Sequence, residues 1–345
     1  MDELEAYAEI LGEDRPEVKD ILLRARVFPG DRAKYLKLLR NLCLKEGMDV
    51  LDPPKFKSFQ GSYPFPEEYY TTHVLKVATT KAGKSRSTYL EICNLIERGV
   101  KVHVFDPQNE YIDLGVKYPD KVLVAWPDLL RLGLLQSYGD ESPEDVAVRL
   151  CTNARESFFF RDMSENVFFR EVVRTLERQR TPTIQDLMQN LVFKARSPRE
   201  RNYGAIETIL NRMNRLLTEL PETFSCSEGL PAEFFLENSL VFPLRGLSTY
   251  LSNFLINFVI QIVMKNKGFS EKLDILFVLE EAHTYVNRQR EARLDLGEIF
   301  IYSAMRMARK LGLGFELLSQ TLTGFSPAIL GNTNTVLVGR LLNGT

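Results

Sequence analysis

Residues 78–85, with the sequence Ala-Thr-Thr-Lys-Ala-Gly-Lys-Ser, have the types and spacing of a loop that binds phosphate. The pattern G-x-x-x-x-G-K-[ST] uses flexible backbone to surround a triphosphate, a lysine for its β- and γ-oxygens, and a hydroxyl for Mg²⁺. Gly83, Lys84 and Ser85 match the end of this pattern, whereas Ala78 replaces its first glycine. The segment predicts a nucleotide site with an altered loop.

The flanking sequence predicts the elements that must position this loop. Residues 73–78 have the composition of a short apolar strand, and residues 87–96 have apolar side chains at helical spacing. A second strand, 100–105, follows and ends at Asp106. A strand, a loop and a helix in this order direct backbone N–H groups at an anion. The segment is therefore a βαβ unit that begins a parallel sheet.

Two adjacent carboxylates follow a third apolar strand, at 274–279. Because side chains alternate along a strand, Glu280 and Glu281 are expected to point in different directions. Phosphoryl transfer to water needs one group near the metal and another that activates the water. We assign Glu280 to the metal and Glu281 to the water; the alternative is a solvated acidic pair that closes the strand. Gln320 ends a further strand, where it is either a sensor of the γ-phosphate or an ordinary strand cap.

Composition sets broad limits on the chain. It has 345 residues, enough for one large α/β domain with an accessory region, and a net charge of −2, which excludes uniform attraction to nucleic acid. Its four cysteines are widely separated, which argues against a zinc site or a disulfide framework. The acidic N-terminus is not a secretory signal, and the longest apolar run, 254–264, is too short to span a bilayer. We expect a cytoplasmic protein.

The pattern of elements predicts an α/β fold with a mostly parallel sheet. Further strands are expected at 121–125, 240–244, 314–318 and 335–338. Between the early and late strands the sequence becomes helical and rich in arginine and phenylalanine, with Phe158–Phe160 and Phe168–Phe169 as its expected core. We divide the chain into a helical N-terminal region with a proline-rich connector (1–65), the first part of the core (66–139), a helical insertion (140–235) and the second part of the core (236–345).

Four segments together resemble a known family, the HerA-like branch of the FtsK/HerA P-loop ATPases. They are 78–85, Phe105–Tyr111 (Phe-Asp-Pro-Gln-Asn-Glu-Tyr), Val278–His283 (Val-Leu-Glu-Glu-Ala-His), and Leu318–Gln320 with Asn332–Thr335 downstream. The resemblance covers roughly 66–135 and 236–345. It implies a RecA-like core, ATP and Mg²⁺ as cofactors, and a hexameric ring that moves along double-stranded DNA.

The resemblance also implies roles for single residues. Lys84 looks like the phosphate lysine, Ser85 and Glu280 like the Mg²⁺ ligands, Glu281 like the catalytic glutamate and Gln320 like the sensor. The positions expected to contact or support the nucleotide are Thr79, Thr80, Lys81, Ala82, Gly83, Lys84, Ser85, Arg86 and Asp106. Residues 305–312 resemble a segment that offers an arginine to the nucleotide of the neighbouring subunit; Arg309 is our first choice and Arg340 our second.

DNA would be contacted through phosphate by basic pore loops. One candidate segment carries Lys194, Arg196, Arg199, Arg201, Arg212 and Arg215. A second carries Arg288, Arg290 and Arg293. For the first segment, a solvated helical face is an equally good explanation.

We therefore predict an ATP-dependent, ring-forming DNA translocase or helicase, with a nuclease as one partner that the family allows. Two alternatives stay open. Ala78 and Lys81 favour a nucleotide-binding scaffold with weak or no hydrolysis, whereas the family also includes ATPases of conjugation and genome packaging. An ATPase that acts on protein or RNA is a third reading.

Overall fold

The computed structural model describes residues 7–8, 11–12, 15–27, 32–45, 67–79, 82–197, 200–286, 292, 299–321, 325 and 327–339. The chain divides into two units, Met1–Tyr63 and Pro64–Thr345. The predicted proline-rich connector at 53–66 lies outside the described residues.

The described part of the first unit includes the helices α1 (Pro16–Val27) and α2 (Arg32–Lys45), which pack against each other. Their apolar side chains recur at helical spacing and so form a face that must be buried. Val18 of α1 and Leu39 of α2 are fully buried in the small core of this unit. Within the described residues, this unit is thus helical.

The second unit is built on seven strands and twelve helices among the described residues. The strands are β1 (Val74–Val77), β2 (Lys101–Asp106), β3 (Val122–Val124), β4 (Ser239–Pro243), β5 (Ser270–Leu279), β6 (Leu311–Ser319) and β7 (Thr335–Val338). The helices are α3 (Glu67–Thr71), α4 (Lys84–Glu97), α5 (Asp113–Lys117), α6 (Pro143–Phe158), α7 (Asp162–Arg178), α8 (Ile184–Ala195), α9 (Tyr203–Glu219), α10 (Pro221–Phe224), α11 (Ala232–Glu237), α12 (Thr249–Asn266), α13 (Phe300–Ala308) and α14 (Pro327–Asn332).

The strands form one sheet in the order β3-β4-β2-β5-β6-β1-β7, and every pairing between them is parallel. All seven predicted strands are present, and the predicted α/β class is confirmed. In a parallel sheet the carboxyl ends of the strands lie along one edge. The four neighbouring strands β2, β5, β6 and β1 therefore bring the residues that follow them to one place.

Helices cover both faces of the sheet, which explains why its central strands are almost continuously apolar. Ile92 and Ile96 of α4 pack on one face with Val102 and Val104 of β2. On the other face, Phe254 and Phe258 of α12 are fully buried in a core that also contains Phe105 of β2 and Phe277 of β5. Over the described ranges, no helix is long and apolar enough to cross a membrane.

The helical segment from α6 to α11 shares its core with this second face. Capping boxes begin two of its helices: Ser142 with Asp145 at α6, and Thr183 with Asp186 at α8. The phenylalanine clusters lie in this core as predicted, with Phe158, Phe160 and Phe168 buried and Phe159 and Phe169 packed against them. The segment is thus attached to the sheet by a continuous apolar core.

Two buried histidines are held neutral in the sheet. His73 uses both ring nitrogens, since Nε2 lies 2.7 Å from the carbonyl oxygen of Met305 and Nδ1 accepts from Phe315 N at 3.2 Å. His103 is fully buried between the rings of Phe242 and Phe277. Burial lowers the pKa of His73 and that of His103 from 6.5 to about 4.

We expect His73 and His103 to contribute a loss of stability as the pH falls from about 6.5 to about 4. Each folded-state pKa lies below the unfolded value, so the unfolded chain takes up protons first and the stabilisation, complete above pH 6.5, disappears on acidification. Between pH 6.5 and pH 5, the free energy of unfolding of the wild type should fall by about 2 kcal/mol more than that of His103→Gln. Urea unfolding at the two pH values measures this difference, and equal falls would contradict it.

Candidate functional site

The phosphate loop lies at the carboxyl end of β1 and leads into α4. Gly83 has φ +88°, a left-handed conformation that glycine adopts without steric cost, and a Cβ added there would meet nothing within 4 Å. Lys84 and Ser85 form the first turn of α4, whose N–H groups face the loop, and Arg86 is exposed. Ala78 and Thr79 begin the loop directly after β1, and the predicted loop residues Thr80 and Lys81 lie outside the described residues.

Glu280 is buried at the end of β5 and faces the phosphate loop. Its Oε1 lies 3.1 Å from Lys84 Nζ and 3.5 Å from Ser85 Oγ, and its Oε2 is 3.4 Å from the hydroxyl of Tyr111. Burial raises the pKa of Glu280, while the positive charge of Lys84 acts in the opposite direction. Lys84 Nζ has no hydrogen bond of good geometry among the described residues, so its ion pair leaves donors for an incoming anion.

Glu281 points to different partners. Gln320 Nε2 donates to its Oε1 at 2.6 Å, and Gln108 Nε2 donates to the same oxygen at 3.1 Å. The other oxygen, Oε2, is 3.4 Å from His283 Nδ1. Glu281 has φ +52°, an unusual value for a residue other than glycine, and such strain is concentrated at functional sites.

The loop after β2 touches both carboxylates. Asp106 is fully buried and accepts hydrogen bonds from the backbone N–H groups of Gln108 (3.2 Å) and Tyr111 (2.8 Å). Burial raises the pKa of Asp106, and these backbone donors oppose the rise. Asp106 therefore fixes a turn from which Gln108 reaches Glu281 and Tyr111 reaches Glu280.

Sequence reasoning missed Gln108, Tyr111 and His283 as site residues. His283 Nδ1 also lies 3.2 Å from Ser319 Oγ, at the end of the neighbouring strand β6. All three residues fall within segments that carry the family resemblance, but only the contacts identify their partners. The available signal was the polar type of each residue, two to five positions beyond a strand end on the same edge of the sheet.

A buried charged cluster lies under the loop, between β1, β6 and α4. Lys76 Nζ is 2.6 Å from Glu91 Oε2 and 2.5 Å from Glu316 Oε1, with Thr88 and Tyr70 as further hydrogen-bond partners. Burial raises the pKa of Glu91 to about 7, and the Glu316 carboxylate adds to the effect while Lys76 opposes it. The cluster connects the strand before the loop with the helix after it.

Arg309 follows α13 and is exposed, with no ion-pair partner among the described residues. Both ends of α13 are fixed by buried polar groups. Glu156 accepts from the backbone N–H of Phe300 at the start of the helix, and the carbonyl oxygen of Met305 is the partner of His73 near its end. The predicted Arg340 lies outside the described residues.

The predicted basic segment is only partly available to a ligand. Lys194 is 2.6 Å from Glu171 and 3.9 Å from Glu200, and the guanidinium of Arg215 lies over the ring of Tyr250, 5.3 Å from its centroid. The exposed side chains of the segment are Arg196, Arg201 and Arg215, with Arg212 half-buried. Arg199, Arg288, Arg290 and Arg293 lie outside the described residues.

The site fits Mg²⁺ that arrives with a nucleotide. Among the described residues, no three His, Cys, Asp or Glu side chains are grouped to hold a metal by themselves. The Ser85 hydroxyl and the Glu280 carboxylate lie 3.5 Å apart and are hard oxygen donors. Mg²⁺ is commonly held by one or two such groups together with substrate phosphates and water. The donors of this site are therefore suited to a metal–nucleotide complex.

A family model described as "Helicase HerA, central domain" matches residues 66–263, more than half of the chain. The match runs through 140–235, where sequence reasoning found no clear resemblance. It ends before Glu280. No curated protein sequence matches the chain.

Solved structures share this fold. VirB4 of Thermoanaerobacter pseudethanolicus has a TM-score of 0.58 at 16% identity, over 77% of this chain and 76% of its own. The bacterial conjugative coupling protein TrwB, in an unbound form, has a TM-score of 0.58 at 16% identity, over 79% and 70%. TrwB in complex with ADP and Mg²⁺ has a TM-score of 0.56 at 15% identity, over 79% and 71%. These likenesses confirm the predicted RecA-like fold class.

Proposed function

Because the chain belongs to the family of the HerA helicase central domain, and is thus a P-loop ATPase, we propose that it uses ATP hydrolysis to move double-stranded DNA. The observation that carries the proposal is the pair of carboxylates at the end of β5. Glu280 contacts the phosphate-loop residues Lys84 and Ser85, whereas Glu281 contacts the polar side chains Gln108 and Gln320. Hydrolysis of a phosphoanhydride needs these two environments side by side.

Nucleotide binding is assigned to the loop and α4. Lys84 places its ammonium group beside the phosphates, and the N–H groups of the first turn of α4 supply further donors. Ser85 and Glu280 would hold Mg²⁺, which when bound neutralises phosphate charge and orients the terminal phosphate. TrwB has been solved with ADP and Mg²⁺ and with a non-hydrolysable ATP analogue, which supports the choice of ATP and Mg²⁺ here.

Glu281 is assigned as the group that orients and deprotonates the attacking water. It lies beyond the metal-side carboxylate, and its hydrogen bonds come from neutral amides rather than from the phosphate loop. Gln320 follows β6, the strand between the acidic pair and the phosphate loop in the sheet. That position supports its assignment as the group that senses the γ-phosphate.

Assembly into a homo-oligomeric, hexameric ring is part of the proposal. An arginine from a neighbouring subunit can raise the rate of phosphoryl transfer by about 10³- to 10⁵-fold. Arg309 is assigned this role because it is exposed at the end of a helix whose two ends are fixed. Arg340 is the second candidate.

DNA is assigned to basic groups that contact phosphate without reading bases. With a net charge of −2, binding must rely on local clusters rather than on overall charge. The exposed arginines at 196, 201 and 215 and the group at 288–293 are the candidates. A nuclease that acts on the same DNA is one partner that the family allows, and the cytoplasm is the expected location.

One alternative is favoured by a specific observation: Ala78 replaces the first glycine of the loop, which favours a scaffold that binds nucleotide and hydrolyses it slowly. A second is favoured by the likeness to VirB4 and TrwB, since TrwB is described as a conjugative coupling protein. In that reading the ATPase serves the conjugative transfer of DNA.

The test is ATP turnover of the wild type and Lys84→Ala, without polymer and with double-stranded DNA, single-stranded DNA or RNA. Turnover that depends on Lys84 and rises with double-stranded DNA is expected. Equal, negligible rates for both proteins under all conditions would favour the scaffold. Stimulation by RNA alone, or indifference to every polymer, would point to another substrate.

Mixing two inactive variants tests the arginine in trans. Arg309→Ala and Glu281→Gln should each hydrolyse ATP at least about 100-fold more slowly than the wild type. A mixture should regain turnover, because a site then pairs an intact Glu281 from one subunit with an intact Arg309 from its neighbour. Turnover as a function of mixing ratio measures this, with Lys310→Ala as the exposed control. No recovery in a mixture shown by sedimentation to co-assemble would contradict the assignment.

A further inference from the structure

Glu281 receives two amide donors on one oxygen. Gln320 and Gln108 both donate to Oε1, at 2.6 Å and 3.1 Å. A carboxylate oxygen has two lone pairs, so these two N–H groups use the full acceptor capacity of Oε1. One hydrogen bond would be enough to orient the carboxylate. The second occupies the remaining lone pair of Oε1, which a water molecule would otherwise use.

The surroundings of Glu281 leave little room for a water on the same oxygen. Lys84 Nζ lies 4.0 Å from Oε1, and His283 Nδ1 lies 3.4 Å from Oε2. The Glu281 side chain is only 13% exposed. A group that takes a proton from water needs a free lone pair directed at that water. In this conformation, neither lone pair of Oε1 is free for the water, and Oε2 is turned toward His283.

The two glutamines differ in how firmly they are placed. Gln320 directly follows the buried strand β6, is half-buried and makes the shorter bond. Gln108 lies in the loop after β2, is exposed and makes the longer bond. The neighbouring residue Asn109 has φ +62°, and the Asp106 carboxylate holds the turn through Gln108 N. Gln108 is thus aimed at Glu281 by its loop and is the donor that can leave most easily.

We propose that Gln108 is a positioning residue that restrains Glu281 and keeps turnover low in the absence of DNA. The proposal rests on the proposed function, in which Glu281 activates water. Release of Gln108 frees one lone pair of Oε1, while Gln320 continues to orient the carboxylate. The rate without DNA is then limited by the fraction of time in which Gln108 is displaced.

The experiment compares Gln108→Ala, Asn109→Gly and the wild type at saturating ATP. Without DNA, Gln108→Ala should turn over ATP roughly three- to tenfold faster than the wild type, the factor expected for loss of one ordinary hydrogen bond. Its stimulation by double-stranded DNA should shrink by the same factor. Asn109→Gly keeps the left-handed turn and the Gln108 amide, so its rate should match that of the wild type.

If Gln108→Ala hydrolysed ATP more slowly than the wild type without DNA, Gln108 would assist Glu281 and the proposed restraint would be wrong. An unchanged rate would also contradict the restraint. If the wild type hydrolysed ATP no faster than Lys84→Ala, the proposed function itself would be wrong. In that case a thermal double-mutant cycle with Gln108→Ala and Glu281→Ala tests the contact without turnover. Non-additive shifts in Tm are expected, and additive shifts would count against the contact and the restraint together.

Discussion

Replacing Glu281 by glutamine is expected to reduce ATP turnover about 10²- to 10⁴-fold, the range that a general base contributes. The amide cannot accept a proton from water, but it has nearly the same shape and can still meet Gln108 and Gln320. Binding of ATP should be retained, because Glu281 is not assigned to the phosphates or to the metal. Steady-state turnover and the affinity for a fluorescent ATP analogue measure the two effects separately.

Two neighbouring variants serve as controls for this separation. Lys84→Ala should lose both turnover and affinity, since Lys84 is assigned to the phosphates. Glu280→Gln should mainly raise the Mg²⁺ concentration needed for activity, because Glu280 faces Ser85 and Lys84. Retention of more than a fifth of wild-type turnover by Glu281→Gln would move the role of base to another residue.

Replacing Lys76 by methionine is expected to lower the free energy of unfolding by about 3–5 kcal/mol, the usual cost of breaking a buried ion pair. The change leaves the carboxylates of Glu91 and Glu316 buried, and Glu91 Oε1 and Glu316 Oε2 already have no hydrogen-bond partner among the described residues. Methionine has a similar length and fills the space of the lysine stem. Urea unfolding at pH 7 measures the difference.

Glu91→Gln is the matched control for the Lys76 cluster. It removes one of two carboxylates that share a single lysine, so it should cost much less than Lys76→Met. The folded-state pKa of Glu91, about 7, lies above its unfolded value of 4.5, so this carboxyl group contributes a loss of stability as the pH rises between these values, opposite in sign to the contribution of the two buried histidines. Glu91→Gln should abolish that loss. A larger cost for Glu91→Gln than for Lys76→Met would contradict this account of the charges.

The sheet could be predicted because its central strands are buried on both faces and are therefore nearly continuous apolar runs. The predicted strand at 274–279 is the buried half of β5, which begins earlier, at Ser270. Its first residues are exposed and polar, and no apolar pattern marks them. Lys84, Glu280 and Glu281 could be assigned because each follows a predicted strand or precedes a predicted helix at a position fixed by the chemistry.

The contacts between distant segments could not be predicted. Gln108 and Gln320 are 212 positions apart in the chain, yet both reach one oxygen of Glu281. Lys76 interrupts an otherwise apolar strand, which is a signal for a buried partner, but nothing local to it identifies Glu316. Which strands are neighbours decides these pairs, and the order β2-β5-β6-β1 is a property of the whole sheet.

The two buried anchors of α13 have a mechanical consequence. Glu156 holds its first N–H group and His73 holds a carbonyl near its end, so neither end can fray independently. Nine residues of α-helix are about 13 Å long and behave as a rod. A displacement of Glu156 would therefore act on α13 as one body and not on its first turn alone. The helical segment that contains Glu156 is in this way mechanically connected, through α13, to Arg309.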